Sequence, residues 1–259
     1  MRIVSLACSN TEIVHALGCA DLLVGVDDHS DFPEALVSSL PRLGPDLDPD
    51  LDRVAALRPD LVLATLTVPG HERVVEGLEA RGIPFVAPEP TSLEDVYRDI
   101  EDIACLLDVR DRGLALVSRM QAELDAAPPL PDDPPALLVQ WWPSPVIAPG
   151  RLSWTTDLIH AAGGRNPIGR EDVKSRPLSD EEVCELAPDA FVISWCGVAP
   201  DKYRPDVVSR NPLWSSLPAV RENRVFCVPE AYLGRPGPRL VEGIRALREV
   251  VAALGRPTR

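Results

Sequence analysis

Ser92-Leu93-Glu94-Asp95-Val96-Tyr97-Arg98-Asp99-Ile100-Glu101-Asp102-Ile103-Ala104-Cys105-Leu106-Leu107 opens the longest helical pattern in the chain, which continues to about Ala127. Apolar residues recur at Leu93, Val96, Ile100, Ile103, Ala104 and Leu107, then at Leu114, Leu116, Val117, Met120 and Leu124. That spacing is helical, not alternating. No proline and one glycine, Gly113, interrupt it. Thr91 or Ser92 is placed to cap its start, and Glu94 and Asp95 sit in the first turn, where the helix dipole favours negative charge. Read as one helix over 92–127, it spans about 50 Å, enough to cross two small lobes. The Pro-rich run 128–135 then ends it, because proline cannot continue a helix.

Both flanks of this helix read as parallel α/β units. On the amino-terminal side, Ile3 to Leu6 is an apolar strand. Ser9-Asn10-Thr11-Glu12 has the form of a capping box opening a helix that ends near Gly18. Strands follow at Leu22 to Val26, Leu61 to Ala64 and Ile83 to Ala87, with helices at Leu51 to Leu57 and His71 to Arg81. On the carboxyl side, strands are expected at Ala136 to Trp141, Ala190 to Ser194 and Arg224 to Val228. Helices are expected at Ser153 to Ala162, at Ser179 to Leu186 behind a second capping box, and at Arg239 to Leu254. One phrase recurs: Leu57-Arg58-Pro59-Asp60-Leu61-Val62-Leu63 against Leu186-Ala187-Pro188-Asp189-Ala190-Phe191-Val192. The expected fold is α/β, with two lobes of mainly parallel sheet flanked by helices. The first lobe covers 1–91, the joining helix 92–127, the linker 128–135 and the second lobe 136–259.

The chain has 259 residues, 45% hydrophobic and 25% charged, with a formal net charge of −14. That balance describes a globular protein, and its acidity argues against a nucleic-acid partner. No run approaches the roughly 20 apolar residues of a membrane span. The six cysteines are scattered without a C-x-x-C pair, and most are expected to be buried thiols.

In open parallel sheets, ligands bind beyond the carboxyl ends of the strands. In the second lobe that rule selects Trp141, Trp142, Trp195 and Tyr232, from a chain holding only five Trp and three Tyr. Together they predict a flat, largely apolar ligand surface in a cleft between the lobes. In the first lobe the rule selects His29 and His71, near Asp27, Asp28, Asp31 and Glu72. A zinc or manganese site built on these residues is an alternative. The chain has no G-x-S-x-G elbow, P-loop, G-x-G-x-x-G or H-E-x-x-H, so an enzyme is not expected.

Several ordered stretches carry a family likeness. They are Arg2 to Glu12, Val24 to Pro33, Val54 to Val62, Gly82-Ile83-Pro84, Thr91 to Val96, Ala162 to Asn166 and Pro238 to Gly243. Over nearly its whole length the chain resembles the substrate-binding proteins of ABC importers for cobalamin and iron-siderophores, in which two α/β lobes are joined by one rigid helix. It is most similar to the cobalamin-binding branch. The resemblance implies a corrinoid or similar large metal chelate as ligand, no catalytic cofactor, a permease partner, a monomeric state and a location outside the cytoplasm. It places His29 where that branch has a corrin-contacting tyrosine, and Ala231-Tyr232-Leu233-Gly234-Arg235 on its contact stretch. It also implies that Glu72 docks to the permease, with Asp201 or Asp206 as the second-lobe counterpart. Thr65 stands where the branch has a tryptophan, and Ala162 and the final helix lack the cysteines of the secreted members. Met1-Arg2 leads straight into the first strand with no signal segment, which leaves a cytoplasmic corrinoid-binding or sensing protein on the same fold as a further alternative.

Overall fold

The amino-terminal part runs β1 (Ile3–Ser5), α1 (Cys8–Ala16), β2 (Leu23–Val26), α2 (Glu34–Val37), α3 (Leu51–Ala56), β3 (Leu61–Leu63), α4 (His71–Ala80), β4 (Phe85–Val86), α5 (Leu93–Leu106) and α6 (Arg110–Asp125). These assignments come from a computed structural model, which describes residues 1–125 and 132–255. Part of the expected linker, 128–131, lies outside the described residues, as do Ala126 and Ala127 of the expected helix. The strands form one parallel sheet in the order β2-β1-β3-β4. Ile3, Val4, Val62 and Leu63 are fully buried, as a parallel sheet covered on both faces requires.

The carboxyl-terminal part runs β5 (Leu137–Gln140), β6 (Trp142–Pro143), β7 (Val146–Pro149), α7 (Trp154–Ala161), β8 (Ser175–Leu178), α8 (Asp180–Leu186), β9 (Ala190–Ile193), α9 (Asp206–Arg210), α10 (Pro218–Arg221), β10 (Val225–Cys227), α11 (Glu230–Leu233) and α12 (Leu240–Leu254). β10-β9-β5 is a parallel sheet, as the sequence pattern predicts. A second sheet, β6-β7-β8, is antiparallel and was not expected. Its strands hold Pro143, Pro149 and Pro177, which removes the apolar signal a strand usually shows.

The repeated phrase does the same work twice. After α3, Arg58 takes a left-handed φ of 46°, and after α8, Ala187 takes 41°. Each residue ends its helix in the manner of a left-handed carboxyl cap. Asp60 then accepts the Arg2 amide at 2.6 Å through its carboxylate, while its own N–H donates to the Arg2 carbonyl. Asp189 does likewise with Ala136, at 2.7 Å and through the same backbone exchange. Each aspartate therefore pins the start of the strand beside it, β1 in one part and β5 in the other.

Three expectations are corrected. The helix expected over 92–127 is two helices, α5 and α6, with a break at Leu107, Asp108 and Val109. Asp108 adopts φ 58°, its N–H reaches the Cys105 carbonyl, and the Val109 N–H reaches Ala104 at 2.8 Å. This pair of bonds closes a helix end, and aspartate tolerates the left-handed turn better than most residues. Gly113 then lets α6 lie close to α5, since a Cβ there would stand 2.5 Å from that of Ala104. The capping box at Ser9 to Glu12 does not form: α1 begins at Cys8 behind Ala7, and all four residues are buried. The box at Ser179 and Glu182 forms with both bonds. Of the six cysteines, all among the described residues and none disulfide-bonded, only Cys19 is buried; Cys105, Cys196 and Cys227 are exposed.

The chain divides into two compact units, Met1–Pro90 with Glu94–Arg119, and Thr91–Leu93 with Met120–Arg259. The Leu93 N–H donates to Asp157 at 2.8 Å, which ties the short piece to the second unit. The second boundary falls inside α6. Within the first unit, Arg112 donates to the Leu17 and Gly18 carbonyls at 3.0 and 3.2 Å. Within the second, Arg248 donates to the Glu123 and Leu124 carbonyls, both at 2.9 Å.

Candidate functional site

In the first unit the segments following β1 and β2 share a buried polar network. Asp27, fully buried, accepts from Ser30 Oγ at 2.5 Å and from the His29 N–H at 2.9 Å. Burial pushes the Asp27 carboxyl up, opposed by those two hydrogen bonds. Ser30 Oγ lies 2.7 Å from Thr11 Oγ1, which bonds Ser5 Oγ at 2.9 Å. Arg42 donates to the carbonyls of Asp27 and Ser30. The His29 backbone is thus fixed while its imidazole stays half exposed.

A second histidine lies close by. His71, at the start of α4, is buried; its Nδ1 accepts the Val68 N–H at 3.3 Å and its Nε2 lies 3.1 Å from Asp46. That acceptor role at Nδ1 puts the proton of the neutral ring on Nε2, facing the carboxylate. The other Asp46 oxygen stands 3.6 Å from His29 Nε2, within ion-pair reach but too long for a hydrogen bond. Burial raises the Asp46 pKa, but the bond from His71 and the two imidazoles outweigh it and hold the carboxyl below its usual range. Leu47 and Val68, next in sequence to this cluster, are exposed, as is Phe32. Sequence reasoning missed Asp46, Leu47 and Val68; Asp46 sits in an acidic loop with no motif to mark it. Among the described residues no group of three His, Cys, Asp or Glu side chains is arranged to hold a metal ion. Glu72 is exposed, and its carboxylate accepts the Gly70 N–H at 2.7 Å in the first turn of α4.

In the second unit the aromatic set separates. Trp142, on β6 opposite Ile147, is exposed. Trp141 points the other way along the strand, half buried, with its ring 6.5 Å from that of Trp154. Trp195 is corrected: it is 4% exposed, in the core with Phe191 and Ile193, and tilted against Tyr203 at 5.6 Å. The strand ladder continues past β9, with the Ser194 N–H donating to Gln140, so Trp195 stays on the core face. Leu233 is also core and fully buried; its carbonyl accepts from Trp154 Nε1 at 2.8 Å and Thr155 Oγ1 at 2.9 Å. Tyr232 is half buried, with the Arg239 guanidinium 5.0 Å from its ring centre. Arg235 is buried and paired with Glu230 at 3.1 Å, and Gly234 packs against the same carboxylate. The structure thus leaves Trp142 as the most open indole of the predicted set, with Trp141 and Tyr232 partly open.

The periplasmic binding protein family model matches residues 3–232. An uncharacterized ABC transporter substrate-binding lipoprotein of Bacillus subtilis is 28% identical over 96% of this chain and 79% of its own length. The vitamin B12-binding protein of Vibrio vulnificus is 26% identical over 98% of this chain and 90% of its own. Among solved structures, the periplasmic heme-binding protein from Roseiflexus sp. RS-1 in apo form superimposes with a TM-score of 0.80 at 29% identity, covering 98% of this chain and 97% of that one. With a family match across most of its length and a parallel sheet in each of its two units, the chain belongs to the periplasmic binding protein family.

Proposed function

We propose that this chain is the ligand-capturing component of an ABC importer, and that its ligand is a corrinoid or a similarly large, flat metal chelate. It performs no chemistry on that ligand. The loops at the carboxyl ends of the two parallel sheets make the contacts: His29 with Leu47 and Val68 in the first unit, and Trp142 with Trp141 and Tyr232 in the second. Glu72 meets the permease. Two observations, one in each unit, support the reading: the half-exposed His29 imidazole with exposed Leu47 and Val68 on loops of the first, and the open Trp142 indole on the second. Kinship with a vitamin B12-binding protein and with a heme-binding one supports a metal-centred macrocycle as the ligand class.

Titrating the protein with cyanocobalamin, dicyanocobinamide and hemin, while following Trp emission and the visible spectrum, tests this. Binding of at least one of them at or below micromolar concentration is expected. Failure of all three to bind below about 100 μM, roughly −5.5 kcal/mol, refutes it.

A further inference from the structure

At the carboxyl end of β5, Gln140 is 1% exposed, and neither end of its carboxamide meets a hydrogen-bond partner among the described residues. Trp195 Nε1 is buried and likewise unpartnered. The two belong together. Gln140 is the register partner of Ile193 in a parallel ladder, and Ile193 and Trp195 share one core cluster two residues apart. Paired and alternate positions face the same side of a sheet, so the Gln140 and Trp195 side chains leave the same face at neighbouring positions. Buried polar atoms without partners are rare and costly, and a carboxamide with an indole N–H offers both donors and an acceptor. Only a group that donates and accepts at once satisfies all three atoms, and the smallest such group is water.

We infer that Gln140 and Trp195 hold a buried water inside the second unit. The water accepts from the Trp195 indole N–H and the Gln140 amide and donates to the Gln140 carbonyl. It is the inner end of a longer chain. The Trp195 carbonyl accepts from the Tyr203 hydroxyl at 3.4 Å, and that hydroxyl accepts the Glu230 N–H at 3.0 Å. Glu230 opens α11, which carries Tyr232. Gln140 is thus a positioning residue for the loop before α12, whatever ligand that loop meets.

Gln140→Leu keeps the volume and removes both polar ends. If the water is present, the variant loses it and strands the Trp195 N–H, lowering the unfolding midpoint by about 2–4 °C or more. If the site is dry, the variant removes two unsatisfied atoms, and the midpoint stays level or rises; that result overturns the inference. A cycle with Trp195→Phe adds a readout that simple packing loss does not move: a shared water makes the double variant lose less than the sum of the singles. Additive losses count against it. A high-resolution crystal structure of the unmodified protein decides directly. Density for a water bonded to Gln140 and Trp195 Nε1 is expected; no density, or a direct Gln140 to Trp195 bond, refutes it.

Discussion

Replacing Gly243 with alanine tests how α12 is seated against α11. In an open helix the change stabilises by about 1 kcal/mol, because glycine carries the larger entropy cost. Here a Cβ would stand 2.1 Å from the Tyr232 carbonyl oxygen and 3.0 Å from Leu233 Cδ2. The oxygen is backbone and cannot rotate away, so α11 must retreat by about 1 Å to reach ordinary C···O contact. Overpacking of this kind costs about 1–3 kcal/mol. The retreat also loads the two bonds that the Leu233 carbonyl accepts from Trp154 and Thr155, each worth about 1 kcal/mol. The expected net loss is about 2–3 kcal/mol, or roughly 5–10 °C in the unfolding midpoint. Trp fluorescence is the right probe, because Trp141, Trp142, Trp154, Trp195 and Trp214 all lie in the second unit. A Gly243→Ala protein with an unchanged or higher midpoint by that signal would refute the packing argument.

Asp99, on α5, is pushed up to about 7 from 3.8, first by burial and then by the neighbouring charges of Asp95 and Asp102, with Arg98 opposing. Its folded form holds a proton more tightly than its unfolded form, so stability declines as pH rises from 3.8 through about 7. Asp99→Asn is expected to stabilise the protein at pH 8 by about 1–2 kcal/mol, allowing for solvent screening, with no gain near pH 4; equal midpoints for both proteins across that range contradict it. Ser179→Ala removes the hydroxyl half of the α8 capping box, and a loss of about 1 kcal/mol in urea unfolding is expected, an unchanged midpoint arguing against the cap. Trp142→Ala, at an exposed position, is expected to leave the melting curve in place and weaken macrocycle binding about tenfold, close to 1.4 kcal/mol; an unchanged Kd removes Trp142 from the contact set.

Strands were legible wherever the chain is buried on both sheet faces. Leu61-Val62-Leu63 and Ala190-Phe191-Val192-Ile193 announce themselves as apolar runs between a proline turn and a polar loop. The α5–α6 break was not legible, because helical periodicity passes through it and its left-handed residue is Asp108, not glycine. β8 escaped for the opposite reason: Ser-Arg-Pro-Leu looks like loop, and only pairing with β7 makes it a strand. At the site, sequence order located the strand ends but not which side chains face outward there. Trp142 and His29 stay open, whereas Trp195 and Leu233 follow the ladder and the α11 turn into the core. Asp46 was invisible because its importance comes from two histidines distant in sequence.

The twin aspartate clasps at Asp60 and Asp189 also separate what must persist in this chain from what is free to drift. Each fastens the amino end of its sheet through main-chain atoms, asking of the sequence little more than one carboxylate after a proline. The loops proposed to meet a ligand lie at the opposite ends of the same strands. On that proposal, substitutions that alter ligand preference at one rim leave the fastening at the other undisturbed.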